Sequence, residues 1–315
     1  MQKNNLIGNT PLIKINFKYK NVKRFVYVKL EYFNLTGSIK DRVALYIIKE
    51  AKKNGSLKEK QPIIEATSGN TGISFAAIGA YLNHPVHIFM PNWVSKERID
   101  IMRLYGAKVY LVSKEEGGFK ECIKKADILA KEINGYRPDQ FNNYDNVLTH
   151  YKITAKEILD KIKPSGVVSG IGTGGTLIGV GKKLKEINKN AKIIAIEPLQ
   201  LPMLSKGITL GNHKIEGIGD EFIPTIVEKD LIDEVILIDD NDAINMSRKL
   251  AKELGLGVGI SSGANFLSAV LSNKNGLVTF FVDDFKKYLS TDLVKENKNN
   301  DLISEKIKLI DYEIL

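Results

Sequence analysis

Twice along this chain an apolar strand pattern runs into a loop of glycines and hydroxyl side chains, and then straight into a helix pattern. The first case is Pro62-Ile63-Ile64-Glu65-Ala66, then Thr67-Ser68-Gly69-Asn70-Thr71-Gly72, then Ile73, Phe75, Ala76, Ile78 and Leu82 at helical spacing. The second is Gly166-Val167-Val168-Ser169, then Gly170-Ile171-Gly172-Thr173-Gly174-Gly175-Thr176, then Leu177, Ile178, Val180 and Leu184. A strand that is apolar at nearly every position has both faces covered, and such strands alternating with helices build parallel sheets. Val86–Met90, Lys108–Val112, Ile193–Ile196, Val235–Ile238 and Leu277–Val282 read as further strands, and Ser95–Tyr105, Phe119–Ile133, Thr154–Ile162 and Ala243–Leu254 as helices. The pattern predicts an α/β fold with mainly parallel sheets. The polar, turn-rich stretch Gly135–Asn146 marks the best domain boundary.

The two loops carry different chemistry. No lysine follows the glycines of Thr67–Gly72 in the place a Walker loop requires, and neither is it a GxGxxG fingerprint. Its hydroxyls, its Asn and its position at a helix N-terminus suit a small carboxylate. The Gly170–Thr176 loop is a phosphate cup, in which missing Cβ atoms let backbone amides approach the oxygens while threonines add donors. A third segment, Phe33–Arg42, delivers Lys40 to the start of a helix, where the dipole disfavours a cation. That placement suggests a chemical use, since a lysine of lowered pKa can form a Schiff base. A lysine, a carboxylate loop and a monophosphate cup together point to pyridoxal 5'-phosphate acting on an amino acid.

The stretches GNTPL (8–12), NLTGSIKDR (34–42), EATSGNTGIS (65–74), GIGTGGTLIG (170–179), EGIGDEFIP (216–224) and GISSGAN (259–265) occur in family order over nearly the whole chain. By them the sequence resembles the fold-type II pyridoxal-phosphate enzymes of the cysteine synthase and cystathionine β-synthase family. The resemblance implies two doubly wound domains. Residues 41–146 would form a smaller mobile domain carrying the carboxylate loop, and 1–40 plus 147–315 a larger cofactor-binding one. It implies Lys40 as Schiff-base lysine and α-proton base. Thr67, Ser68, Asn70, Thr71, Gln140 and Gly217 would hold substrate, with Asn70 also beside the cofactor's phenolic oxygen. Gly172, Thr173, Gly174, Gly175 and Thr176 would hold the phosphate. Ser261 would meet the pyridine nitrogen, with Ser262 next door leaving two serines open. A neutral hydroxyl at that nitrogen weakens the electron sink and favours α,β-elimination. The implied activity is β-elimination or β-replacement on a β-substituted L-alanine by way of an aminoacrylate, in a homodimer. A catalytically idle binding partner is the competing class, against which the retained Lys40 and cofactor loops argue.

Two stretches depart from the pattern. Relatives that use O-acetylserine carry a small residue after the GIG of a GIGAGF context, and the cystathionine β-synthase version has a tyrosine there; this chain has Asp220. Acetate leaves without a proton, whereas hydrosulfide departs better with a general acid. Asp220 therefore points to L-cysteine as donor, with release of hydrogen sulfide and addition of water (giving L-serine) or a thiol. Cysteine synthesis from O-acetylserine or O-phosphoserine and sulfide is the alternative. The run Val282–Tyr288 replaces the Pro-x-x-Gly-x-Arg-Tyr of many relatives.

The net charge of +9 comes from lysine-rich helix faces such as Lys182-Lys183-Leu184-Lys185, with acids interspersed. It reads as a solvated surface with no nucleic-acid partner. No apolar run approaches a bilayer span, and Met1–Asn5 opens no signal peptide, so the enzyme is expected in the cytoplasm without a membrane partner. The single cysteine, Cys122, fits a reducing compartment and a buried apolar role. The four histidines show no zinc-ligand spacing, so no metal is expected. The tail beyond Val294 turns weakly amphipathic and is expected to be a short packing or dimer element.

Overall fold

The computed structural model describes residues 6–295 and 301–315. The opening residues behind the expectation of no signal peptide, and the first part of the tail, lie outside the described residues. A hairpin leads, β1 (Leu12–Tyr19) and β2 (Val22–Leu30), turned by Lys20 and Asn21, both at positive φ (47° and 63°). That is the backbone a two-residue hairpin needs to follow strand twist. There follow α1 (Lys40–Lys53), β3 (Ile63–Ala66), α2 (Asn70–Tyr81), β4 (Val86–Pro91), α3 (Lys96–Leu104), β5 (Lys108–Val112) and α4 (Gly118–Glu132). After an irregular stretch come α5 (Asp145–Thr149), a π-helical turn (His150–Thr154) and α6 (Ala155–Leu159). The rest is β6 (Gly166–Gly170), α7 (Gly175–Ile187), β7 (Lys192–Pro198), α8 (Met203–Lys206), β8 (Glu234–Ile238), α9 (Asp240–Leu254), α10 (Ile260–Leu271), β9 (Leu277–Phe281) and β10 (Ile307–Ile314).

Two sheets result. Parallel β3-β4-β5 has α1, α2 and α3 on one face, around Ile47, Ile73, Ile88 and Met102, and α4 on the other, around Phe89, Cys122 and Ala126. The order β10-β1-β2-β9-β6-β7-β8 makes the larger sheet, in which β1 alone runs against the others. Its faces alternate with the pleat. Ile194 and Ile196 join the core under α9 and α10, while Ile193 and Ala195 join the core under α7. Burying each such aliphatic side chain contributes about 1.5–3 kcal/mol, so near-continuous apolar strands are the natural price of two-sided cover.

One expectation changes, one pair of strands was hidden by its pattern, and one expectation takes definite form. The helix expected at Thr154–Ile162 is the end of a longer α5–α6 run interrupted by the π-turn. The strands of the N-terminal hairpin went unread, because alternating residues such as Lys14, Asn16 and Lys18 dilute their apolar pattern. The amphipathic tail is a strand: β10 pairs antiparallel with β1 along Ile13–Tyr19 and extends the sheet edge. Among the described residues no helix is long and apolar enough to cross a membrane. Cys122 is fully buried, and burial pushes its thiol up to about 12, so it acts as a small hydrophobe.

Candidate active site

The carboxyl ends of β3 and β6 open into the same cavity, each through the loop singled out by sequence. Thr67–Thr71, Gly172–Gly174 and Thr176 line it together with Lys40, Gln140, Gly217, Asp220 and Ser261. Residues up to 221 positions apart thus converge on one space, at the strand ends where open α/β sheets bind ligands. The cavity communicates with a wider cleft of about 540 Å³ through their shared lining, Ser68, Gly217, Ile218 and Asp220.

Neither α2 nor α7 carries a side-chain cap; the N-cap residues are Gly69 and Gly174. The first-turn N–H groups of α2, and in α7 those that follow Gly175, whose N–H reaches Thr173 Oγ1 (3.4 Å), are left for a ligand, and the dipoles of both helices favour an anion there. Gly174 needs its φ of +85° to turn the chain into α7. A Cβ on Gly175 would lie 2.1 Å from Asn146 Oδ1. Asn146 donates through Nδ2 to Thr173 Oγ1 (3.0 Å), which shapes the cup from beneath. Thr176 Oγ1 meets His150 Nε2 at 3.2 Å, and burial with nearby Lys40 and Arg42 keeps that imidazole neutral. Gly175 itself is packed against Asn146 rather than on the cavity wall.

The carboxylate loop is tied to itself and to its neighbours. Gly69 N–H donates to Thr67 Oγ1 (3.0 Å), and Thr71 Oγ1 donates to Gln140 Oε1 (2.6 Å). Gln140 Nε2 in turn donates to Ala66 O (3.1 Å). The Asn70 amide is engaged on both ends: Nδ2 donates to Asp283 Oδ2 (2.7 Å), and Oδ1 accepts from Lys287 Nζ (3.0 Å). Of the two neighbouring serines, Ser261 lines the cavity, whereas Ser262 Oγ accepts the Val282 N–H (2.9 Å).

Lys40 is the first residue of α1. Burial lowers its pKa to about 8, against the pull of Asp220 and Asp283. A useful fraction is therefore free amine near neutrality. Asp220 is the mirror case: burial raises its carboxyl to about 6, with Lys40 pulling it down and Glu221 pushing it up. An amine and a carboxyl with pKa values drawn towards each other across one cavity can exchange or relay protons at neutral pH.

Sequence reasoning missed several contributors. Arg98, 2% exposed, borders the cavity, and its guanidinium lies 4.4 Å from the Tyr288 ring centroid. Asp283 is fully buried. Asn265 accepts the Gly170 N–H (2.9 Å) and donates to Phe280 O (2.8 Å), holding β6 to β9 beside the cup. The departing run Val282–Tyr288 is well anchored: Lys287 Nζ donates to Gly37 O (3.0 Å), and Tyr288 Oη to Asp283 Oδ2 (2.8 Å). The GISSGAN stretch held the signal for Asn265, and the departing run Val282–Tyr288 contained Asp283, whereas Arg98 lay in no motif.

Two helix N-termini for anions, with a lysine of lowered pKa in the same cavity, fit pyridoxal phosphate; Gly172–Thr176 would hold its phosphate, Lys40 would meet the aldehyde and Ser261 the ring nitrogen. Fold and site together define a fold-type II pyridoxal-phosphate enzyme. The chain belongs to the pyridoxal-phosphate dependent enzyme (PALP) family, which matches residues 3–278. Within it, the chain is a β-replacement enzyme of the cysteine synthase and cystathionine β-synthase group. It is 44% identical to a probable cysteine synthase of Bacillus subtilis, over 91% of this chain and 96% of that one. It superposes on a hydrogen sulfide-producing enzyme of Fusobacterium nucleatum with a TM-score of 0.95 at 50% identity, covering 99% of this chain and 97% of the other. An aspartate-to-asparagine variant of a hydrogen sulfide-producing enzyme, in complex with an α-aminoacrylate intermediate, gives a TM-score of 0.96 at 48% identity, over 99% and 97% of the two chains.

Proposed function

We propose that this enzyme takes L-cysteine as donor, releases hydrogen sulfide, and adds water or a thiol to the β-carbon, with L-serine as the product when water adds. The observation that carries this reading is Asp220, a carboxyl with its pKa raised to about 6 in the cavity that holds Lys40. When bound, pyridoxal phosphate supplies the aldehyde that Lys40 engages and an electron sink that acidifies the substrate α-proton. The N–H groups and hydroxyls of Thr67–Thr71, with Gln140, hold the substrate carboxylate and so fix the α-carbon. Lys40, released as a free amine, removes the α-proton and later returns one. Asp220, protonated, gives its proton to the departing hydrosulfide; then, as the carboxylate, it takes a proton from the incoming nucleophile. The two roles suit a group whose pKa lies near the working pH.

In the same reading, residues 41–146 act as the smaller mobile domain, closing over substrate to exclude bulk water, against a larger unit of 1–40 plus 147–315. The enzyme is then a homodimer, as the resemblance implies, working in the cytoplasm, a reducing compartment that its single cysteine fits. The names of the cysteine synthase relatives favour a second reading, synthesis of L-cysteine from O-acetylserine or O-phosphoserine and sulfide. Purified holoenzyme mixed separately with L-cysteine, O-acetylserine and O-phosphoserine separates the two. Sulfide and L-serine from cysteine are expected. Acetate or phosphate release with no sulfide from cysteine would establish the second reading instead.

A further inference from the structure

Asp220 is useful only if its carboxyl is held over Lys40, and the loop that carries it is not rigid by itself. Gly217 and Gly219 both take positive φ (91° and 73°), so the stretch Glu216–Asp220 turns sharply on two residues without side chains. Its middle is fastened to the large sheet. The Gly219 N–H donates to Ile171 O (2.9 Å), His213 Nε2 lies 2.8 Å from Gly219 O, and Ile218 packs so closely on Gly170 that a Cβ there would lie 2.5 Å from Ile218 Cγ2. Its first residue is fastened elsewhere. Glu216 forms an ion pair with Arg98 Nη1, which reaches across from α3 in the smaller unit.

Arg98 is itself fixed. Nη1 donates to Ser95 Oγ (2.8 Å), the guanidinium lies over the Tyr288 ring, and Nη2 is 3.9 Å from Asp283 Oδ2. It also supports the carboxylate loop from below, because a Cβ on Gly69 would lie 2.2 Å from Arg98 Cδ. One buried side chain thus touches the loop that holds the substrate carboxylate and holds the loop that carries Asp220. We propose that Arg98 and Glu216 are positioning residues that set Asp220 over Lys40 and tie its placement to the carboxylate loop. The inference rests on the reading that Asp220 handles the leaving group's proton.

A positioning role predicts an effect confined to the donor that needs the acid. A merely structural ion pair would affect every donor alike. In the holoenzyme, Glu216→Gln keeps the shape of the side chain while weakening the ion pair. It should lower kcat with L-cysteine by about 10- to 100-fold, the scale at which small misplacements cost catalysis, with KM little changed. The single-turnover release of acetate from O-acetylserine should stay within about threefold, since acetate leaves without a proton. The double variant Glu216→Gln/Asp220→Asn should be no slower than Asp220→Asn alone, because the two act through one group. Arg98→Lys, which keeps the charge, should retain part of the cysteine rate that Glu216→Gln loses. If Glu216→Gln loses cofactor, Glu216→Asp, with its carboxylate withdrawn by one methylene, is read in the same two assays. Equal losses with both donors, no loss with cysteine, or additive losses in the double variant would overturn the proposal. Should Asp220→Asn show no preference between donors, the underlying reading fails. If Asp220→Asn does discriminate and Glu216→Gln does not, only the positioning role fails.

Discussion

Arg42 and Arg98 are equally buried, each 2% exposed, and each faces two carboxylates, yet they serve opposite ends. Arg42 is fully matched. Its guanidinium bonds both oxygens of Glu31 (2.6 and 3.0 Å) and both oxygens of Glu157 (2.7 Å each). Lys29 completes the set by pairing with Glu157 (2.8 Å) and donating to Thr10 O (2.5 Å). The cluster locks β2, α1 and α6 together, and its members lie off the cavity wall. The Arg98 cluster is looser. Asp283 is 3.9 Å away, and its Oδ1 has no hydrogen-bond partner among the described residues although it is fully buried. An orphaned buried oxygen is costly and rare, and it stands beside loops that have to receive a ligand. Matched charges build the frame here, and imperfectly matched charges border the chemistry.

The contrast can be broken experimentally. The largest effect belongs to Lys40→Ala, which should abolish turnover in a steady-state assay while circular dichroism stays native, because it removes amine and α-proton base together. Substantial remaining activity would take Lys40 out of the chemistry. Arg42→Leu should do the reverse in kind, costing about 3–5 kcal/mol in urea unfolding by stranding Glu31 and Glu157. A loss under 1 kcal/mol would show that the matched cluster is not structural.

The two regions should also answer pH with opposite signs. Burial pushes the Glu157 carboxyl up, but Arg42 and Lys29 hold it down to about 2, below the 4.5 of a free glutamate. Its stabilisation, about 3 kcal/mol, is complete above pH 4.5 and disappears as the pH falls towards 2. Asp220 lies above its free value of 3.8, at about 6. Ionised Asp220 therefore costs stability above pH 6, and the cost is relieved as the pH falls from 6 to 3.8. Glu157→Gln should destabilise the protein at pH 7 and less at pH 3, while Asp220→Asn should stabilise it at pH 7 by about 1–3 kcal/mol and less at pH 4. Denaturation curves at these pH values check both signs.

A smaller change is expected at the cup. Gly175→Leu, crowding Asn146 and the start of α7, should weaken pyridoxal phosphate binding by about ten- to hundredfold, the cost of one or two lost charge-assisted hydrogen bonds. Turnover per bound cofactor should change less. Unaltered affinity would remove this loop from the phosphate site.

What the sequence disclosed follows the same divide. The loops at 67–71 and 172–176 were legible because glycine and hydroxyl residues cluster locally after an apolar strand. The parallel strands were legible because two-sided burial leaves runs such as Ile193–Ile196 unbroken. Arg98 was illegible: its partner Glu216 is 118 residues away, and an arginine in a charged helix looks solvent-facing until α3 packs against the 283–288 run. Strand β10 was obscured for another reason. Ile307 and Leu309 are buried while Lys308, Ile310 and the residues after them are exposed, so its pattern resembles an amphipathic tail as much as an edge strand.

Whether Asp220 serves the departure of a poor leaving group is tested most directly by Asp220→Ala, assayed with L-cysteine and with O-acetylserine in parallel. In single turnovers sulfide release from cysteine should fall by about 10²-fold or more, the usual worth of a general acid, while acetate release from O-acetylserine changes by less than about threefold; over many turnovers with O-acetylserine the cofactor absorbance should shift as the step that needs the base slows. Equal losses with both donors, or undiminished sulfide release from cysteine, would contradict the account.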